Sequence, residues 1–262
     1  MFAEGLPVSF LQSIIGFGGA VDVAFIGGTA YVLVTAVGAP FDPDGIDGIY
    51  RVDGPNSFSL VANIGEFAFN NPPSGFPFEL PNGLQYALET YRGGFLVTDG
   101  HHNRVLRVTL NGEVSEFFAF DSDVVPTGLE VSGNTVYLAE AGPVPHLPQT
   151  GKVVSFGPKS PIVTQIASGS PLLVDVERGR GRTLFALSQG IGQVGLPAAA
   201  PAAPNTGALV KVNGDGTFTD VITELNLPTS VEIIKNTAYV VTLDGKILKF
   251  DNISSPPYGA SR

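Results

Sequence analysis

Pro126-Thr127-Gly128-Leu129-Glu130-Val131, then a Ser132-Gly133-Asn134 turn, then Val136-Tyr137-Leu138-Ala139-Glu140 is the stretch that decides the fold. Two short apolar runs, the second carrying an aromatic, joined by a tight polar turn, read as a pair of antiparallel strands. The phrase recurs as Pro81-Asn82-Gly83-Leu84-Gln85-Tyr86 with Gly94-Phe95-Leu96-Val97-Thr98. It returns as Pro171-Leu172-Leu173-Val174-Asp175-Val176 with Leu184-Phe185-Ala186-Leu187, and as Pro228-Thr229-Ser230-Val231-Glu232-Ile233 with Ala238-Tyr239-Val240-Val241. A copy without the proline, Gly19-Ala20-Val21-Asp22-Val23-Ala24-Phe25 with Ala30-Tyr31-Val32-Leu33-Val34, precedes them. The copies start near residues 20, 81, 126, 171 and 228, at spacings of 61, 45, 45 and 57. A period near 45 is that of a four-stranded propeller blade, and the longer spacings leave room for inserted loops.

Each copy continues with further strands. Third strands fall at 48–52, 104–108, 151–155, 208–212 and 246–250, and outer strands near 59–63, 114–119, 162–167 and 218–223. Asn111-Gly112 and Asn213-Gly214-Asp215-Gly216 are hairpin turns between them. The fifth copy runs into Ser254-Ser255-Pro256-Pro257 without an outer strand, whereas residues 7–15 supply a spare one. The expectation is an all-β, single-domain, five-bladed β-propeller over residues 1–262, closed by that N-terminal strand so that no sheet edge stays open. A six-bladed ring is the alternative.

The chain of 262 residues carries 33 Gly and 21 Pro, which leaves no long helical stretch, and at 44% hydrophobic and 15% charged it is not a disordered composition. A net charge of −10 repels phosphate backbones, so nucleic acid is excluded as a partner. There is no Cys for disulfide or thiol chemistry, and no apolar run of the length a membrane span requires. The start, Met1-Phe2-Ala3-Glu4, has neither the basic nor the apolar segment of a signal peptide. A mature extracellular or periplasmic chain is the expectation, with a cytoplasmic one as the alternative.

In a four-stranded blade the turns between first and second and between third and fourth strands share one face. Here they are short. The second-to-third and blade-to-blade connections, among them 37–47, 66–80, 141–150 and 189–206, are long and share the other face, where function is expected. Within the last of these, residues 198–204 are an Ala/Pro tract that reads as flexible linker.

Phe95-Leu96-Val97-Thr98-Asp99-Gly100-His101-His102-Asn103-Arg104-Val105-Leu106-Arg107-Val108 resembles an NHL-type repeat, with its Asp, small turn, Asn-Arg and aliphatic. Together with Val21-Asp22-Val23-Ala24-Phe25, Asn70-Asn71-Pro72, Pro81-Asn82-Gly83-Leu84 and Pro126-Thr127-Gly128-Leu129, it makes the chain similar to the ScyD/ScyE family of propeller-like proteins over most of residues 19–250. The family takes its name from scytonemin biosynthesis gene clusters, and the resemblance implies an often exported, accessory propeller without a transferable catalytic motif. By fold alone, the gluconolactonase family and virginiamycin B lyase are more distant relatives, both metal-assisted enzymes.

Candidate site residues follow from the loop face. His101, His102 and His146, the chain's three histidines, fall in second-to-third-strand loops, with Asp99 and Glu140 at neighbouring strand ends. Imidazoles and carboxylates so grouped suit acid–base chemistry or a divalent cation, while Asp99 and Asn103 also suit simple turn capping. Asn82, Thr127 and Thr229 share the repeat position after the proline and are expected to ring the channel mouth, with Phe41, Phe69, Phe76 and Phe78 nearby. At the fifth repeat position stand Ala24, Gln85, Glu130, Asp175 and Glu232; the last three acids form a candidate Ca or Mg site, the competing reading being solvated carboxylates in a tunnel. Asp42-Pro43-Asp44-Gly45-Ile46-Asp47 has calcium-loop spacing without the distal Glu and reads as a solvated turn. Arg178, Arg180 and Arg182 fall on the short-loop face as surface cations, a weak patch for an acidic partner. Two functions remain open: a binding propeller that takes a small molecule or protein on its long-loop face, or a metal-assisted hydrolase or lyase at the channel mouth.

Overall fold

The computed structural model describes residues 3–9, 18–42, 44–75, 77–78, 80–157, 160–193, 195 and 200–255, and it is a five-bladed β-propeller of antiparallel sheets. The first blade is β1 (Gly19–Ile26), β2 (Thr29–Thr35), β3 (Gly48–Gly54) and β4 (Ser57–Asn63), paired in sequence order. The second is β5 (Gln85–Tyr91), β6 (Gly94–Asp99), β7 (Arg104–Thr109) and β8 (Val114–Ala119). The third is β9 (Pro126–Ser132), β10 (Thr135–Glu140), β11 (Lys152–Gly157) and β12 (Ser160–Ser168). The fourth is β13 (Leu173–Arg178), β14 (Leu184–Ser188), β15 (Gly207–Val212) and β16 (Phe218–Leu225), and the fifth is β17 (Pro228–Ile234), β18 (Thr237–Thr242) and β19 (Ile247–Asp251). The chain divides into two compact units, residues 1–126 with the first two blades and residues 127–262 with the other three.

Strand alternation builds the core of each unit. Along β2, Tyr31 and Leu33 point into the layer between the first two blades with Phe95, Val97 and Leu106, and the Tyr31 and Phe95 rings lie 5.0 Å apart. Val32 and Val34 point the other way, against Val37, Tyr50 and Leu6. In the second unit β14 does the same: Leu184 and Ala186 pack with Val153 and Leu173, whereas Phe185 and Leu187 pack with Val231, Ala238 and Val240. A second strand buried on both faces is why these segments read as continuous apolar runs rather than as alternation.

Two inner strands carry the same bridging device. Asp22 Oδ1 accepts from its neighbour Val23 N at 2.7 Å, and Asp22 Oδ2 accepts from Leu88 N on β5 at 2.7 Å. Asp175 Oδ1 accepts from Val176 N at 2.9 Å, and Oδ2 from Val231 N on β17 at 2.8 Å. Each Asp follows a register shift in its pairing with the second strand, after Ala20 and after Leu173. A bulge turns a side chain along the sheet plane, where it can reach the next blade's unpaired N–H.

The structure departs from the sequence reading in four places. Residues 66–70, expected to open the 66–80 loop, lie in α1 (Ile64–Asn70), because Asn63 caps it: its side chain accepts from Glu66 N at 3.0 Å and donates to Glu66 Oε2 at 3.1 Å. The second blade's first strand starts at Gln85, not at Pro81, because residues 80–83 turn with Gly83 at φ 69° and Gly83 N bonded to Leu80 O. Most of the expected closing strand lies outside the described residues. Residues 7–9 are not strand; Ser9 Oγ donates to Ala36 O at 2.6 Å, and Leu6 packs on the first blade. Ala202 is buried in the Ala/Pro segment and takes a hydrogen bond from its N–H to Gln189 Oε1, so the described residues 200–204 are tied down; 198–199 lie outside the described residues.

Removing either bridge leaves a strand N–H without its charged acceptor. We expect Asp22→Ala and Asp175→Ala each to lower stability by about 2 kcal/mol in urea melts, with the Asn variants recovering part of the loss; losses within error in both would count against this role.

Candidate functional site

Asp99, the last residue of β6, organises the first unit's long-loop side and is fully buried. One oxygen accepts Leu84 N at 3.1 Å and the other accepts Arg104 Nε at 3.0 Å and faces His102 Nδ1 at 3.2 Å. Burial pushes this carboxyl up, but the His102 hydrogen bond and charge, with those of Arg104, outweigh it and hold the group below the usual carboxylate range. His102, 1% exposed, has both nitrogens engaged: Nε2 lies 3.0 Å from Leu80 O, and Nδ1 lies 3.0 Å from Arg104 Nη2. A carbonyl can only accept, so Nε2 donates to Leu80 O. Arg104, 2% exposed, also donates to Asn71 O, the C-cap of α1, at 2.7 Å. His101 is half-buried on the same turn.

Beside this cluster a cleft of about 520 Å³ opens among the long loops. His102 and Arg104 form part of its lining, the loop of Asn71, Pro72 and Ser74 lines it further, and Phe120 and Asp121 complete it. The Phe78 ring packs edge-on to His102 at 4.9 Å. Arg104 escaped the sequence reading as a site residue, although the Asn-Arg of the NHL-like stretch was its signal. Asn82 is half-buried, bonds through its side chain to Asp47, and offers its carbonyl to Gln85 Nε2. Asp47 is itself buried, with Oδ1 accepting Val37 N and Gly38 N, so the end of the 42–47 turn is tied into the protein rather than solvated as expected; Pro43 and Phe76 lie outside the described residues.

In the second unit, the Thr127 hydroxyl lies 3.0 Å from Ala139 O and 2.9 Å from Leu173 O, and Thr229 repeats the first contact with Val241 O at 3.3 Å. Both threonines therefore stitch a first strand to a second. His146, at φ 57°, donates from Nδ1 to Gly142 O at 2.7 Å. Glu140 is 3% exposed and lies opposite Lys152 in the sheet; burial pushes its carboxyl up to about 7 against the lowering effect of that lysine.

Of the three acids expected to hold Ca or Mg, Asp175 has both oxygens on backbone N–H groups, Glu130 faces Arg178 Nε at 4.0 Å, and Glu232 is exposed. A fourth, Glu177, was missed. It pairs across the sheet with Phe185, as Ala24 pairs with Tyr31 and Glu232 with Tyr239, so Glu177 rather than Asp175 holds that repeat position. Burial, then the charges of Asp175, Glu130 and Glu232, push Glu177 up to about 10. Among the described residues no three His, Asp or Glu side chains are grouped to hold a metal ion. No helix among them is long and apolar enough to cross a membrane.

The sequence matches no family model and no curated protein. Solved structures share the fold. One is a chain of a nidogen/laminin complex, at 11% identity over 90% of this chain and 76% of that one, with a TM-score of 0.62. Another is a streptogramin B lyase, at 11% identity over 97% and 72%, with a TM-score of 0.54. A third is a putative 6-phosphogluconolactonase from Bacteroides uniformis, at 15% identity over 92% and 68%, with a TM-score of 0.54. At these identities the likeness is one of propeller fold.

Two outcomes follow. The raised Glu140 contributes full stability below the ordinary glutamate pKa and loses it as pH rises towards 7, so Glu140→Gln should gain stability relative to the parent between pH 5 and 8, by up to about 3 kcal/mol in pH-dependent melts. A Cβ on Gly83 would sit 2.2 Å from Asp99 Oδ1 at a left-handed φ, so Gly83→Ala should cost about 2 kcal/mol or more by the same measurement.

Proposed function

We propose that the protein is a non-catalytic binding propeller that takes a small molecule or a protein partner on its long-loop face, in the accessory role that the ScyD/ScyE resemblance implies. The observation that carries this reading is the cleft beside His102 and Arg104. Its polar floor is already held by hydrogen bonds to Asp99, Leu80 O and Asn71 O, so those groups form a rigid recognition surface rather than a reacting set. Preorganised polar groups beside an open, partly apolar concavity favour binding, because little side-chain entropy is lost on contact. In this reading His101, Asn82 and Asp99 support the floor, while in the second unit His146 lies in the long 141–150 loop and Glu140 ends the strand before it. Thr127 and Thr229 act as struts.

The second reading is a metal-assisted lyase or lactonase; two of the fold neighbours are a streptogramin B lyase and a putative 6-phosphogluconolactonase. One feature favours it: a buried Glu140 poised near neutrality, the protonation behaviour a general acid or base needs.

A panel of small organic molecules screened by ligand-observed NMR separates the two. Under the first reading, a binder loses at least tenfold in affinity when Ser74→Trp fills the cleft, with the melting temperature unchanged and no turnover. Binders indifferent to Ser74→Trp and to Asp121→Lys would overturn the cleft assignment. One tightly held Ca or Mg per chain, with lactone hydrolysis abolished by Glu140→Gln, would replace the first reading with the second.

A further inference from the structure

Away from the long loops, the first-to-second-strand turns of the fourth and fifth blades gather four cations. The chain has only 14 Lys and Arg, yet Arg178, Arg180, Arg182 and Lys235 all fall at these two turns, with no Asp or Glu in residues 178–183 or 235–236. A pocket of about 520 Å³ lies between the turns, lined by Arg178, Gly179, Arg180, Ile233, Lys235 and Asn236. Among the described residues, Arg180, Arg182 and Lys235 form no ion pair; Arg178 pairs with Glu130 at 4.0 Å, and its backbone N–H donates to Glu177 Oε2 at 3.1 Å.

The pocket is built rather than incidental. Arg178 Nη1 donates to Ser132 Oγ, which fixes its guanidinium. Gly179 bonds through its N–H to Thr183 O at 2.8 Å, and a Cβ there would meet Phe185 Cε2 at 2.5 Å, so the turn is pressed onto the core. Asn236 donates from Nδ2 to Asn252 Oδ1 at 3.2 Å and accepts Ser254 N on Oδ1 at 3.0 Å, which anchors the opposite wall. Lys235 holds a left-handed φ of 62°, where the corresponding turn of the first blade uses Gly27-Gly28. Ile233 is buried and supplies an apolar floor.

From this we infer that the pocket between the two turns binds a small oxyanion, a phosphate- or carboxylate-bearing metabolite, at the end of the strands away from the long loops. Arginine forks match such head groups bidentately, and a lysine adds a point charge. The volume suits a small molecule. A net charge of −10 disfavours an extended polyanion such as nucleic acid, which would approach the whole acidic surface, whereas a compact anion meets the local excess of cations over the paired Glu130. This site is independent of the long-loop cleft, since it uses other residues in the other unit.

Inorganic phosphate and citrate, titrated calorimetrically into the intact protein at ionic strength held constant with sodium chloride, test it. The expected result is saturable binding of at least one probe, weakened tenfold or more in the Arg180→Gln/Lys235→Gln double variant and unchanged in Lys211→Gln. Both substituted residues are exposed, so the melting temperature of the double variant should match the parent and exclude misfolding as the cause. Tighter phosphate than citrate would assign a phosphate head group, and the reverse a carboxylate. Absence of saturable binding to either probe, or binding by the double variant equal to the parent, would overturn the inference.

Discussion

The first strand of a propeller blade has a hydrogen-bonded partner on one side only, and the N–H groups on its other side must find acceptors elsewhere. In this protein carboxylates meet that constraint. Asp22 and Asp175 each reach across to one N–H of the next blade's inner strand, Leu88 and Val231. The side chain is short, so the next strand must come close and in one register, and the apolar layers between blades then close at van der Waals contact. Thr35 repeats the device with a hydroxyl, accepting Gln85 N at 3.1 Å and donating to Gln85 Oε1 at 2.9 Å.

The same chemistry governs the loop ends. Asp47 and Asp99 are buried carboxylates whose oxygens accept backbone N–H groups, and each converts a loop into an ordered platform. Buried charge is tolerated there because several donors converge on it, with Arg104 and His102 adding charge and hydrogen bonds at Asp99. Residues whose types suggest catalysis, such as His102, Asp99 and Asp175, hold backbone in place. Glu177 shows the opposite solution: burial, with the charges of three acids nearby, pushes it up to about 10 and favours the protonated form at neutral pH.

The sequence by itself determined the blade count, the strand order and the one-sided distribution of long loops. Those are local properties: alternation, aromatic second strands and glycine or asparagine turns are legible within a dozen residues, and the spacing of copies adds them into a ring. Even α1 had a local signal in Asn63 and Glu66, hidden by the surrounding Gly and Pro. What only the tertiary structure decided is the partner of each polar atom. His102 is held by Leu80 O, 22 residues back, and Arg178 and Lys235 share a pocket although 57 residues separate them. The bulge of the fourth copy falls between Leu173 and Asp175, two residues further from its proline than the bulge between Pro228 and Ser230 in the fifth, so the repeat phrase placed Asp175 where Glu177 stands. Periodicity reports which face a residue takes; whether a carboxylate or imidazole is free for chemistry depends on where distant backbone N–H and C=O groups land, and packing alone brings those into reach.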